Sequence, residues 1–133
     1  MPVLLQKFIF RIDLKSNPNV LYLFGDNCER LGFGGQAKEM RGEPNAVGVR
    51  TKRKPSNQEG EFFYDHDYDE VVAMIEEDLQ MAWWHIHLGG IVIIPYDGLG
   101  TGLSRLPEKA PKIDAYLKGR LEELYNSQLT YTL

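Results

Sequence analysis

Apolar and polar positions fall in alternating blocks along the chain. Leu4 to Ile12 is apolar and β-prone and predicts a first strand. The turn formers Lys15-Ser16-Asn17-Pro18-Asn19 break it. Val20 to Phe24 is continuously apolar, as a strand covered on both faces would be, and stops at Gly25-Asp26-Asn27. A glycine-rich stretch, Gly32-Phe33-Gly34-Gly35, runs into a predicted short helix over Gln36 to Arg41. Pro44-Asn45 interrupts the pattern, and Ala46 to Thr51 alternates as a strand. Arg53 to Gly60 is polar and reads as an exposed loop, with Phe62 to Tyr64 as a short strand or an anchor for it. Val71, Val72, Ile75, Leu79, Trp83 and Ile86 recur at spacings of three and four, which predicts a helix over Tyr68 to His87. Asp67 followed by Glu70 resembles a capping box, and Gly89-Gly90 ends the helix. Ile91 to Ile94 is a second fully apolar strand, ending at Pro95 and followed by Asp97-Gly98-Leu99-Gly100-Thr101-Gly102-Leu103-Ser104. Ile113, Leu117, Leu121 and Leu124 place a last helix over Glu108 to Tyr125, with Pro107 and Pro111 near its tolerant first turn. Leu129 to Leu133 is β-prone and predicts a final strand.

Strands alternating with helices imply an α/β fold with both sheet faces covered, and 133 residues suit a single domain over 1–133. A hydrophobic share of 43% excludes a disordered chain. The apolar run from Gly89 to Pro95 is too short to span a bilayer, and no charged-then-apolar leader opens the chain. The lone Cys28 excludes an intramolecular disulfide framework. Together these give a cytoplasmic protein without a membrane partner as the expectation. The net charge of −4 opposes a nucleic-acid partner, although Arg50, Arg53 and Lys54 form a small basic run.

The two most apolar strands each run directly into a glycine-rich loop. Ligands of open α/β sheets bind beyond the carboxyl ends of the strands, where glycines let backbone N–H groups approach an anion. Gly32, Gly34 and Gly35 with Gly98, Gly100 and Gly102 are therefore candidate ligands for the two ends of one diphosphate. The bland alternative is that these glycines only make tight turns. No Gly-x-x-x-x-Gly-Lys-Ser/Thr sequence occurs, which excludes a P-loop, and Ala37 stands where a dinucleotide fingerprint needs its third glycine.

Three stretches resemble the macrodomain, an ADP-ribose-binding module, in the branch of the terminal ADP-ribose protein glycohydrolase. Asn27 to Ala37, with Arg30-Leu31-Gly32-x-Gly34, is similar to the first loop of that branch. Thr51-Lys52-Arg53 resembles its Thr-Lys-Lys segment. Gly100-Thr101-Gly102-Leu103-Ser104-Arg105-Leu106 resembles its Gly-Cys-Gly-Leu-Asp-x-Leu loop. The resemblance implies a three-layer α/β/α sandwich around a mixed sheet, no cofactor, and ADP-ribose or an ADP-ribosylated macromolecule as partner. It also implies Lys52 as a nucleophile on the distal ribose. Ser104 stands where the family has its acid–base aspartate, and a serine hydroxyl is a poor proton carrier near neutral pH. Two extra residues also separate Pro95 from the glycine run. Asp97 or Asp26 is then a candidate replacement carboxylate.

The remaining candidates each have a plain structural alternative. Asp26 and Asn27 would bond adenine or ribose, or close the strand in an Asx turn. Gln36 reaches a ligand or lies on a helix surface. Thr101 and Leu103 belong to the second loop's binding surface. Lys52 is a nucleophile or part of a basic patch. His85 and His87 diverge by about 200° on a helix, and His66 lies among acids that suit a helix start, so no metal site is expected. Of the adjacent Trp83 and Trp84, one belongs in the core. Two functions stay open: an ADP-ribose-binding domain with hydrolysis of an ADP-ribosyl linkage, and a non-catalytic module that sequesters a nucleotide.

Overall fold

The structure is a computed structural model that describes the backbone of residues 2–132 and the side chains of residues 2–127. Four strands, β1 (Val3–Gln6), β2 (Val20–Asn27), β3 (Ala46–Lys52) and β4 (Ile91–Pro95), pair in the order β1-β4-β2-β3. Every pairing is parallel, where the sequence resemblance implies a mixed sheet. The physical reason lies partly in the tail, which the β-propensity of Leu129 to Leu133 assigns to a strand. The last helix instead continues through Thr132, and Leu133 lies outside the described residues. Among the described residues the one antiparallel pairing is an isolated bridge between Lys52 and Phe62.

Side chains of β2 and β4 alternate between two cores, which is why both strands read as unbroken apolar runs. Leu21, Leu23, Val92 and Ile94 face α3 (Tyr68–His87) and α5 (Pro111–Thr132), joined by Leu106 of α4 (Leu106–Lys109). Tyr22, Phe24 and Ile93 face α1 (Arg11–Ser16) and α2 (Ala37–Met40) through Leu14, Ala37 and Met40. The protein is therefore α/β, with helices on both faces of a parallel sheet.

Local chemistry explains where the elements depart from the apolar pattern. The first strand stops at Gln6, because the Asp13 carboxylate accepts a hydrogen bond from Phe10 N at 2.8 Å and starts α1 there. Asp67 does not form a capping box with Glu70. Its carboxylate accepts from Tyr64 N at 3.0 Å and pairs with Arg53 at 2.9 Å. The last helix is split at Ala110, because Pro111 has no N–H with which to continue α4. The Asp65 carboxylate supplies the missing partner at the start of α5, accepting from Lys112 N at 3.0 Å. Trp83 packs partly against the core and Trp84 is exposed.

A polar staple joins α3 to α5. Glu76 accepts from the Tyr116 hydroxyl and from Arg120 Nε at 2.6 Å. Burial pushes the Glu76 carboxyl up, but those two donors outweigh it and hold the group below its ordinary value. Burial and Glu76 together raise the Tyr116 phenol to about 12. A depressed carboxyl stabilises the fold fully above its unfolded value and loses that contribution as pH falls through its folded one. Stability is thus expected to fall on acidification below the usual carboxylate range, and Glu76→Gln should flatten that slope in urea melts recorded from neutral pH downward.

The connections position the site. β2 leads to α2 on one face, whereas its neighbour β4 leads to α4 and α5 on the other. Adjacent strands whose outgoing chains part to opposite faces leave a crevice beyond their carboxyl ends.

Candidate functional site

Both glycine loops border that crevice. The first runs from Cys28 to Gln36 after β2, and the second from Tyr96 to Arg105 after β4. Gln36 ties them together: its Nε2 donates to Gly98 O at 3.0 Å, and its Oε1 accepts from Gly25 N at 2.8 Å. Leu103 of the second loop packs on Gly34 of the first. Gly100 has φ +77°, and a Cβ there would stand 3.0 Å from Leu106 and 3.2 Å from Thr51, so this turn requires glycine.

The loops present unused donors. Among the described residues, the backbone N–H groups of 31–36 and of 99–104 make no hydrogen bond to the protein. Leu99 and Gly100 are buried, and buried backbone N–H groups are rarely left without a partner. Two rows of such donors in loops that border one crevice suit an anion.

The crevice has two compartments that share Gly25, Gly34, Leu103 and Ser104. One of about 360 Å³ is lined by Gly34, Gly35, Gln36, Asp97, Gly100, Thr101 and Gly102. The other, of about 70 Å³, is lined by Asp26, Asn27, Gly32, Arg41, Lys52 and Pro55. Thus Lys52 and Ser104 converge on the smaller compartment, whereas Asp97 is exposed in the larger one.

Lys52 ends β3 and is 3% exposed. Its Nζ donates to Asn57 Oδ1 at 3.0 Å and Leu103 O at 3.4 Å, and sits 4.8 Å from the centre of the Phe62 ring. Burial lowers the amine below the ordinary lysine value, with Glu61 opposing and Arg105 reinforcing the shift. The Ser104 hydroxyl shares a 2.7 Å hydrogen bond with the buried Thr51 hydroxyl, which in turn donates to Asp26 O.

Asp26 and Asn27 lie where the end of β2 should put them, but both work for the protein. The Asn27 amide donates to Leu31 O at 2.7 Å and its Oδ1 accepts from Glu29 N, closing an Asx turn. The Asp26 carboxylate accepts from Arg30 at 3.0 Å, from Arg41 at 2.5 Å and from Asn27 N. A ligand contact by Asp26 would require displacing one of these. The amide of Gln36 is similarly committed to Gly25 and Gly98.

Sequence reasoning missed the arginines that shape the first loop. Arg41, at the end of α2, donates to Gly32 O at 2.6 Å and to Leu31 O at 3.2 Å. Turning those carbonyls toward a guanidinium keeps them from opposing an anion across the amide row. Arg30, in a left-handed conformation at φ +57°, bridges Asp26 to Asp78 at 2.7 Å, and Arg50 holds the other side of Asp78 at 2.9 Å. An arginine after a short helix and an aspartate on a long one read as surface residues, so no linear signal marks this ladder.

A family model, described as a family of unknown function (DUF7831), matches residues 4–120. The chain belongs to DUF7831. The span of DUF7831 takes in both glycine loops, Lys52, Ser104 and the arginine–aspartate ladder. No curated protein and no solved structure matches this DUF7831 chain. Among its described residues, no three His, Cys, Asp or Glu groups gather as a metal site would need. No described helix is long and apolar enough to cross a membrane.

Proposed function

We propose that the crevice binds ADP-ribose or a related NAD-derived nucleotide diphosphate, with the layering and ligand position of a macrodomain. The observation that carries this reading is the pair of unpartnered amide rows, 31–36 and 99–104, in two loops that border one crevice at the point where the connections of β2 and β4 diverge. The diphosphate lies between the rows, one sugar enters the compartment of Lys52, and the rest of the nucleotide extends past Thr101 and Asp97. The acidic total charge does not oppose binding, since Arg41 backs one amide row and Lys52 borders the smaller compartment. Calorimetric titration with ADP-ribose is expected to give saturable heat, and silence at millimolar nucleotide would overturn the reading.

On catalysis the geometry supports two versions. In the first, the neutral form of the desolvated Lys52 amine attacks the anomeric carbon of the distal ribose. The bond from that carbon to the carboxylate oxygen of the modified protein breaks, and the carboxylate leaves. The amine then gives its proton to solvent, and water hydrolyses the Lys52–ribose bond to release ADP-ribose. The second is a module that holds the nucleotide without chemistry. What favours the second is the state of the carboxylates: Asp26 is covered by two guanidinium groups, and Asp97 lies outside the Lys52 compartment. Product analysis after long incubation with ADP-ribosylated protein, or with NAD, separates the two.

A further inference from the structure

We infer that the segment from Arg53 to Glu61 is a lid over Lys52, and that Asn57 is its latch. The compartment holding the amine has room for only about 70 Å³, against about 360 Å³ next door. That space takes a few water molecules and is tight for a sugar ring. Part of its wall is Pro55, which comes from this segment and lies against Gly32 of the first loop.

The segment is fixed at both ends and lightly held between them. Arg53 N donates to Glu61 O at 2.9 Å, the Lys52–Phe62 bridge sits just beyond, and Phe62 and Phe63 are buried anchors. Residues 54–60 between these clamps are exposed. Among the described residues, one side-chain hydrogen bond ties them to the crevice, from Lys52 Nζ to Asn57 Oδ1 at 3.0 Å. A short exposed span, tied to the crevice through Asn57 and near its far hinge by the Tyr64 hydroxyl donating to Glu59 O, can swing about that hinge without disturbing the sheet.

The consequence is chemical. A group that reaches the amine must displace Asn57 and supply an oxygen acceptor in its place. A phosphate, carboxylate or sugar hydroxyl meets that requirement, whereas an apolar group of equal size leaves the buried amine with only its long contact to Leu103 O. The latch concerns access to Lys52 and stands whether or not a nucleotide is the ligand.

Lysine acetylation by N-hydroxysuccinimidyl acetate, quantified residue by residue by mass spectrometry on the full chain, tests it without any ligand. Exposed Lys38 is the internal reference. In the wild type, Lys52 is expected to react at least about tenfold more slowly than Lys38. Asn57→Ala should raise the rate at Lys52 by about tenfold, the change that loss of one hydrogen bond to a charged group brings, and leave Lys38 unchanged. Asn57→Asp, which keeps an acceptor, should retain the protection. Amide exchange should accelerate over 54–60 in the alanine variant and not in β3. Equal Lys52 rates in wild type and Asn57→Ala, or acceleration extending through β3, would overturn the latch. Absence of ADP-ribose binding would leave it standing.

Discussion

Asp26→Ala is expected to lower stability by about 3–5 kcal/mol, the cost of removing one partner from a buried ion pair. The carboxylate is 2% exposed and Arg41 is 15% exposed, so the charge left behind on Arg41 is poorly solvated. Arg30 is 43% exposed, and water screens most of its share. Gly48 shows how tightly the site is built: a Cβ there would stand 2.3 Å from Asp26 Oδ2. Against a total stability of about 5–15 kcal/mol, the loss is large and should lower the melting temperature by more than about 10 °C. Asp26→Asn, which keeps an acceptor for Arg41, should fall between the two. Urea denaturation measures all three proteins, and a loss below about 1 kcal/mol for the alanine variant would mean that the ladder is a screened surface contact. Because Arg41 also holds Leu31 O and Gly32 O, the same variant should loosen the first loop.

The second large effect is on chemistry. Lys52→Met keeps an unbranched stem against Phe62 while deleting the amine, so folding should survive. If the domain hydrolyses an ADP-ribosyl linkage, this change is expected to reduce turnover to background while leaving nucleotide affinity within about tenfold, since the diphosphate is held by backbone donors. Turnover retained in Lys52→Met removes the amine from the reaction. Binding without turnover in the wild type assigns the protein to the non-catalytic reading, and the arrangement of Asp26 and Asp97 then explains why.

Several features were readable from the chain. Helix α3 falls on Tyr68–His87 as the spacing of Val71, Ile75, Leu79 and Ile86 requires, because a stripe at 3.6-residue intervals has one way to be buried. β2 and β4 were legible as apolar runs, and the glycine loops as the segments that follow them. The first strand and the tail were misread for one reason: apolar, β-prone residues do not reveal whether a neighbouring strand exists to pair with them. At Phe10 the side chain of Asp13 offered the backbone a local alternative, and at the end of α5 the helix simply continued.

The candidate site divides along the same line. The loop glycines could be named because their residue type and their places after strands carry the signal, whereas Lys52 and Ser104 were named through the resemblance of their short segments to a known family. Their partners could not be named either way. Whether Asp26 faces a ligand or two arginines depends on where residues 4 and 15 positions further along return in space. Whether Asp97 or Ser104 shares a compartment with Lys52 depends on how a loop of about ten residues closes across the strand ends. Local order along the chain thus determined the long helix α3, the apolar strands β2 and β4 and the glycine loops that follow them, since helix and strand periods and glycine conformations are properties of short segments. The folded arrangement alone decided which carboxylates are neutralised, how small the Lys52 compartment is and what covers it, because ion pairing and enclosure arise between residues that only the sheet brings together.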